Sequence, residues 1–190
     1  MERSRLGGRG GWEVRPTRDI AREWWTLPEV KGIYGVLFPE AARLLSECGY
    51  PEFTRRRPVE ISGHALLCIG STTRLNLQTR ITHHVFGDSR LSSLRRTLGV
   101  LFGREAGLRP YGSPGRPNFH FGEGELWLTE FIAAHTLFAF RPSSAPACEE
   151  NGLIKRHRPP FNIKGLEHTA FARHVSGLRQ AMAAEVQCGG

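Results

Sequence analysis

Four cysteines in 190 residues, Cys48, Cys68, Cys148 and Cys188, form neither a CxxC pair nor a CxxC…HxxxH spacing. Their scatter points away from both a zinc site and a disulfide framework. Long apolar runs are missing as well. No segment approaches the roughly 18 apolar residues that a membrane helix needs, and the first residues hold no apolar stretch of the signal-peptide kind. A cytoplasmic, reduced setting with no membrane partner is expected. Lysine is scarce, with Lys31, Lys155 and Lys164 alone, so the formal net charge of +8 and the pI near 10.0 come almost wholly from arginine. A guanidinium fork matches phosphate oxygens two at a time, which suits a nucleic-acid partner, although a basic surface also serves solubility alone.

The length suits one domain with a real core and is too short for two once the Gly/Pro-rich stretches are set aside. Residues 1–18 are Arg/Gly-rich with little periodic apolar content and are expected to be a mobile basic arm. The domain is expected over 19–186, followed by a short tail at 187–190. Lys31–Phe38 (KGIYGVLF) and Ala65–Gly70 (ALLCIG) read as buried strands, and Thr136–Phe140 (TLFAF) as a third. Between the first two lies an insertion, 39–64, with a short helix at Ala41–Cys48 and the basic triplet Arg55, Arg56 and Arg57. Helices are expected after Gly70, with Leu77, Ile81 and Val85 along one stripe and Gly87-Asp88 as the break, and at Leu91–Phe102 and Leu126–His135. A further helix, capped by Ser143 or Ser144, should run to about Arg158, where Pro159-Pro160 stops it. A last one, about His168–Glu185, turns Phe171, Val175, Leu178 and Met182 inward. Residues 104–124 read as a long surface loop. Strands separated by helices give a mixed α/β (α+β) domain around a small three-stranded antiparallel sheet.

The polar residues gain meaning from their order. GIY stands at 32–34, CIG at 68–70, Arg80 and His84 one helical turn apart, Glu150 ahead of Leu153-Ile154, and Pro-Pro-Phe-Asn ending at Asn162. This series resembles the GIY-YIG nuclease superfamily from about Lys31 to Asn162. The segment Ser92–Gly99 and the C-terminal helix resemble a bacterial branch of it. A lone GIY would be uninformative, but five elements in order, on strand, strand, helix, helix and loop, are specific.

The resemblance implies hydrolysis of a DNA phosphodiester by water with one divalent metal ion, Mg²⁺ or else Mn²⁺. Tyr34 is then the tyrosine that helps activate the water, directly or through a neighbouring base. Arg80 holds the scissile phosphate. His84 hydrogen-bonds the tyrosine or the phosphate. Glu150, first of an E-x-x-L-I pattern, binds the metal, since a hard carboxylate oxygen suits Mg²⁺. Asn162 bonds within the site or near the phosphate. Each also has a plainer reading: a buried strand tyrosine, the polar face of an amphipathic helix, a helix-start charge, a turn residue.

Two features depart from the pattern. Cys68 stands where the family has its second tyrosine, and a thiol is a poor donor with a shorter reach. The gap from Gly70 to Arg80 is about two residues longer than usual. Alongside Arg55–Arg57, the cations Arg95, Arg96, Lys155, Arg156, Arg158 and Lys164 are candidates for tracking phosphates. Trp24, Trp25 and Trp127 are expected to pack rather than form a stacking platform. A DNA endonuclease is therefore expected, with a catalytically weakened DNA-binding module as the alternative and RNA as the less favoured substrate. The oligomeric state is not legible.

Overall fold

Gly32-Ile-Tyr-Gly-Val-Leu-Phe38 is apolar or small throughout, and such a run is stable as a strand only in mid-sheet with cover on both faces. In the computed structural model, which describes residues 11–40, 59–113 and 118–188, every residue of this strand is buried. The elements in chain order are β1 (Glu13–Pro16), α1 (Thr17–Arg22), a 3₁₀ turn (Trp24–Thr26), β2 (Gly32–Phe38), β3 (Glu60–Ile61) and β4 (His64–Ser71). They continue with α2 (Leu77–Val85), α3 (Ser93–Phe102), β5 (Tyr111–Gly112), α4 (Gly124–His135), β6 (Leu137–Pro142), α5 (Pro146–His157), α6 (Ala170–Ala184) and β7 (Gln187–Cys188). The expected helix at 41–48 and the triplet Arg55–Arg57 lie outside the described residues.

The main sheet has five strands in the order β1-β6-β2-β4-β3, all neighbours antiparallel, rather than three. Its centre, β6-β2-β4, is the expected trio. The two additions are edge strands. Residues 13–16, read from composition as part of a mobile arm, pair with Leu137–Phe140 of β6, and Thr17 N–H then bonds Thr136 O at 3.0 Å. Glu60–Ile61, within the segment read as an insertion, folds back on His64–Ala65 through Ser62-Gly63, whose φ angles of 53° and 79° are both positive. Positive φ at both turn residues matches the right-handed strand twist in a two-residue hairpin. A second, two-stranded parallel ladder joins Tyr111–Gly112 to Gln187–Cys188, inside the stretches expected to be surface loop and tail.

Alternation along β2 and β4 sends side chains to two different layers. Tyr34, Val36 and Phe38 face the larger core, shared with Leu77, Ile81 and Val85 of α2, Leu94 and Leu98 of α3, Leu128 and Ile132 of α4, and Phe171, Val175 and Met182 of α6. Leu37, Leu66, Ile69 and Ala139 face a smaller one, closed by Ile154 of α5 and by Leu166. The sheet is thus sandwiched between α5 and the remaining helices. Stacking of Phe161 on Phe171, with centroids 5.8 Å apart, carries the chain from the β4 edge into α6.

Helix α5 starts at Pro146, and its N-cap is Ala145, not Ser143 or Ser144. Proline suits a first helical position because its missing N–H would have no partner there. The Ser143 hydroxyl instead accepts from Ala145 N–H at 3.1 Å and donates to Glu149. At the other end Arg158 takes a left-handed φ of 47° just before the two prolines. Trp127 packs on Phe131 as expected, but Trp24 and Trp25 are 43% and 61% exposed and meet edge to face. Their turn is anchored through its backbone and Thr26: Gln78 Nε2 donates to the carbonyls of Trp25 and Leu27, and Arg15 donates to the Thr26 hydroxyl.

Candidate active site

Tyr34 lies opposite Gly70 across the β2–β4 pair. A Cβ at position 70 would fall 2.2 Å from both Cζ and the hydroxyl oxygen of Tyr34, so glycine there is what lets the phenol lie across β4. The hydroxyl then reaches α2. His84 Nε2 is 2.7 Å away, and Arg80 Nε donates to the same oxygen at 3.2 Å. Both partners come from one helix because residues four apart share a flank, while Leu77, Ile81 and Val85 bury the adjoining stripe. Residues 72–76 connect β4 to α2, and Asn76 caps α2 by accepting from Thr79 N–H at 2.8 Å.

His84 is held from its other side by Ser92, whose hydroxyl is 2.7 Å from Nδ1. Ser92 is also the N-cap of α3, accepting from Arg95 N–H at 3.1 Å. Burial, and then the positive charge of Arg80, hold the His84 imidazole well below its ordinary pKa, so the ring is neutral. Burial likewise pushes the Tyr34 phenol far above its ordinary value, against the opposing pull of Arg80. Tyr34 therefore keeps its proton. Arg80 also donates to Leu91 O at 2.9 Å, which fixes the guanidinium beside the phenol and leaves further N–H donors, of the five it carries, for a ligand.

Glu150 sits in the first half of α5, where its carboxylate accepts a hydrogen bond from the hydroxyl of Ser71 at the end of β4. It is near enough for its negative charge to raise the pKa of both Tyr34 and Cys68. Its neighbour Glu149 is committed elsewhere, accepting from Arg141 at 2.6 Å and from Ser143 at 2.7 Å, which ties α5 to the end of β6. Asn162 is held by β4. Its Oδ1 accepts from Ile69 N–H at 2.8 Å and its Nδ2 donates to Ile69 O at 2.7 Å, while Phe161 N–H bonds Leu67 O. These bonds cover the outer edge of β4 beyond the short β3. Cys68, two residues before Gly70, is a free, partly buried thiol whose bond to Ile69 O is long at 3.7 Å. Burial first, then Glu150, pushes it from 9.0 up to about 12.

The candidate cations divide sharply. Arg95 is a structural residue, fully buried: it pairs with Glu125 at 2.9 Å and donates to His84 O, Val85 O, Glu125 O and Thr129 Oγ1. A cation on the last carbonyls of α2 is favourable there, and nothing of it is left for a phosphate. Arg96 is partly buried, with one terminal nitrogen on Ser89 O at 2.6 Å. Lys155, Arg156, Arg158 and Lys164 are exposed around the end of α5 and the loop after it. The sequence reading missed Gly70 as clearance for the phenol, Ser71 and Ser92 as partners of Glu150 and His84, and Arg179. The dipeptide Ser92-Ser93 before an apolar run was the available helix-cap signal for one of them.

Residues 32–181 match the family model described as the GIY-YIG catalytic domain. The chain belongs to the GIY-YIG nuclease superfamily. Neither the curated proteins nor the solved structures gave a significant match. Membership implies a nuclease-type hydrolase domain acting on nucleic acid, in a superfamily that generally works with a divalent metal ion. Among the described residues no three His, Cys, Asp or Glu side chains converge as a protein-only metal cage, and no helix is long and apolar enough to cross a membrane. The donor set at Glu150 is a single hard carboxylate beside a hydroxyl. That fits an ion such as Mg²⁺, which keeps most of its own waters, and does not fit a metal demanding nitrogen or sulfur ligands.

Proposed function

We propose that this GIY-YIG domain is a Mg²⁺-dependent DNA endonuclease, hydrolysing phosphodiester bonds with Tyr34, Arg80, His84 and Glu150 as its working residues. The observation that carries the reading is the Tyr34 hydroxyl, held between Nε2 of His84 and a guanidinium donor. A phenol that donates to His84 and accepts from Arg80 has one lone pair left for a water proton. As a water oxygen attacks phosphorus, its proton passes to Tyr34 while the Tyr34 proton passes to His84, so the buried phenol never needs to ionise on its own. The far P–O bond breaks, and the leaving oxygen takes a proton from solvent. The remaining Arg80 donors stabilise the charge growing on the phosphoryl oxygens. Glu150 would hold the divalent ion, which supplies Lewis-acid neutralisation of phosphate charge. The exposed cations Lys155, Arg156, Arg158 and Lys164, with Arg55–Arg57, would track the DNA backbone; Mn²⁺ would substitute for Mg²⁺, and the protein would work in the cytoplasm.

Cys68 favours a second reading, a DNA-binding module with weakened catalysis, because its thiol cannot do the work of a phenol at that position. The experiment is single-turnover cleavage of a DNA duplex by wild type and Tyr34→Phe, in Mg²⁺ and in chelator, with matched RNA alongside. The nuclease reading expects metal-dependent DNA cutting that Tyr34→Phe slows at least about 100-fold, since positioned proton transfer contributes on that order. Wild-type rates in Tyr34→Phe would sink it, and salt-sensitive binding with no cutting in Mg²⁺ or Mn²⁺ would favour the second reading.

A further inference from the structure

The strands, α2, α5 and the loop after it hold the residues aligned with the family pattern, but a third helix also reaches the site. Arg179, past the middle of α6, lies against the start of α3: its NH2 donates to Ser93 O at 2.9 Å and to Thr97 Oγ1 at 2.6 Å. Ser93 directly follows the Ser92 that orients His84. Two further observations separate Arg179 from an ordinary tether. Its Nε–H is shielded from solvent and has no hydrogen-bond partner. Buried polar groups are nearly always paired, and Arg141, which shares such an unpartnered Nε, has its charge met by Glu149. Moreover, among the described residues no carboxylate forms an ion pair with Arg80, Arg96 or Arg179, although carboxylates serve Arg90, Arg95 and Arg141 nearby.

The surroundings say what Arg179 faces. Arg80 donates to Leu91 O, Arg96 to Ser89 O and Arg90 O, and Arg179 to Ser93 O, so three guanidinium groups are gathered on the 89–93 connection between α2 and α3, where their charges repel. Burial chiefly, then Arg96, lowers the Arg179 pKa to about 10, while Cys68 acts in the opposite direction. The Arg179 charge also acts on the Cys68 thiol, at the position where the family has its second tyrosine. Like charges brought together without carboxylates form a site for an anion.

We propose that Arg179 is a second phosphate-binding arginine of this nuclease site, supplied by the C-terminal helix, and that it provides the donor missing where Cys68 replaces the second tyrosine. The proposal rests on the reading of the site as one that engages DNA phosphates. Arg80 takes the scissile phosphate, and Arg179, with Arg96, takes an oxygen of that phosphate or of its neighbour on the same strand. A cysteine leaves room for a phosphate oxygen to approach where a phenol ring would stand.

The test is equilibrium binding of wild type, Arg179→Ala, Arg179→Lys and Thr97→Val to one DNA duplex across a salt series, with thermal unfolding of each and single-turnover cleavage in Mg²⁺. A lost phosphate contact lowers the slope of log K against log salt by about one. Arg179→Ala should show that loss, with cleavage slowed about 10- to 100-fold. Arg179→Lys should keep the slope, and Thr97→Val, which removes only a tether, should keep both slope and rate. Cys68→Tyr placed in Arg179→Ala should recover part of the cleavage. An unchanged slope in Arg179→Ala, or equal losses in Arg179→Ala and Thr97→Val that follow their melting temperatures, would overturn the proposal. A wild type that binds with a salt-dependent slope but never cuts would defeat the nuclease reading while leaving the Arg179 slope to be read. A wild type that neither cuts nor binds would defeat both.

Discussion

Gly70 has no side chain because Tyr34 fills the space that one would take. Gly70→Ala adds a single carbon, yet that carbon meets the phenol ring, which must rotate away from His84 and Arg80. Cleavage by Gly70→Ala is expected to fall as far as in Tyr34→Phe, with DNA binding kept; single-turnover rates near wild type would show that the crossed phenol is not needed. Asn162 is another residue whose role depends on what it holds. Both ends of its amide serve Ile69, one residue before Gly70. Asn162→Ala leaves an N–H and a carbonyl of β4 unpaired, at about 1–3 kcal/mol for such a buried loss, and denaturant unfolding should register it. That Arg80 and His84 meet on one flank, beside Tyr34, was legible in the sequence from their one-turn spacing and the order of the motifs. Arg95 was misread. On a helical wheel it is one more cation beside Arg96, and only the packing of α3 against α2 and α4 turns it inward to Glu125.

Helices α2 and α3 act as a unit because Ser92 starts one and orients a residue of the other. Ser92→Ala removes an N-cap, about 1 kcal/mol by comparison with other caps, and takes from His84 its Nδ1 partner. The expected signature is a drop in cleavage larger than the drop in stability accounts for; a parallel decline of both would reduce Ser92 to a cap. Arg95→Ala should behave oppositely. It strips Glu125 of its ion pair and the end of α2 of its donor, and breaking a buried pair typically costs about 3–5 kcal/mol. The melting temperature should fall steeply while the salt slope of DNA binding in the surviving folded protein stays unchanged. The strands show what a sequence can and cannot announce. β2, β4 and β6 are apolar runs and were read directly, whereas β1 and β3 are edge strands of four and two residues with charged or polar positions. Their place is decided by register against a neighbour, and a short segment carries no periodicity to reveal that.

Across the whole molecule, the buried titratable groups should leave a pH signature. His84 is held below its ordinary pKa of 6.5, so as pH drops through about 6.5 the unfolded chain takes up a proton that the folded one refuses. Stability should therefore decline on acidification, by at most about 1.4 kcal/mol per pH unit for one such site. Cys68, pushed from 9.0 up to about 12, and Tyr34 act in the other direction: above pH 9 the unfolded chain loses protons that the folded one retains, and stability falls again. Thermal unfolding should show a plateau between these limits; a melting temperature that rises steadily toward pH 5 would contradict the buried, neutral His84. The same scale holds the central claim, that four residues from one strand and two helices converge on one phosphodiester. Glu150 tests it most directly, because it is partly exposed on α5 and its loss should spare the fold. Supercoiled plasmid incubated in Mg²⁺ with wild type should become nicked, and with Glu150→Ala should stay intact while still being bound. Nicking by both proteins at the same rate would contradict the account.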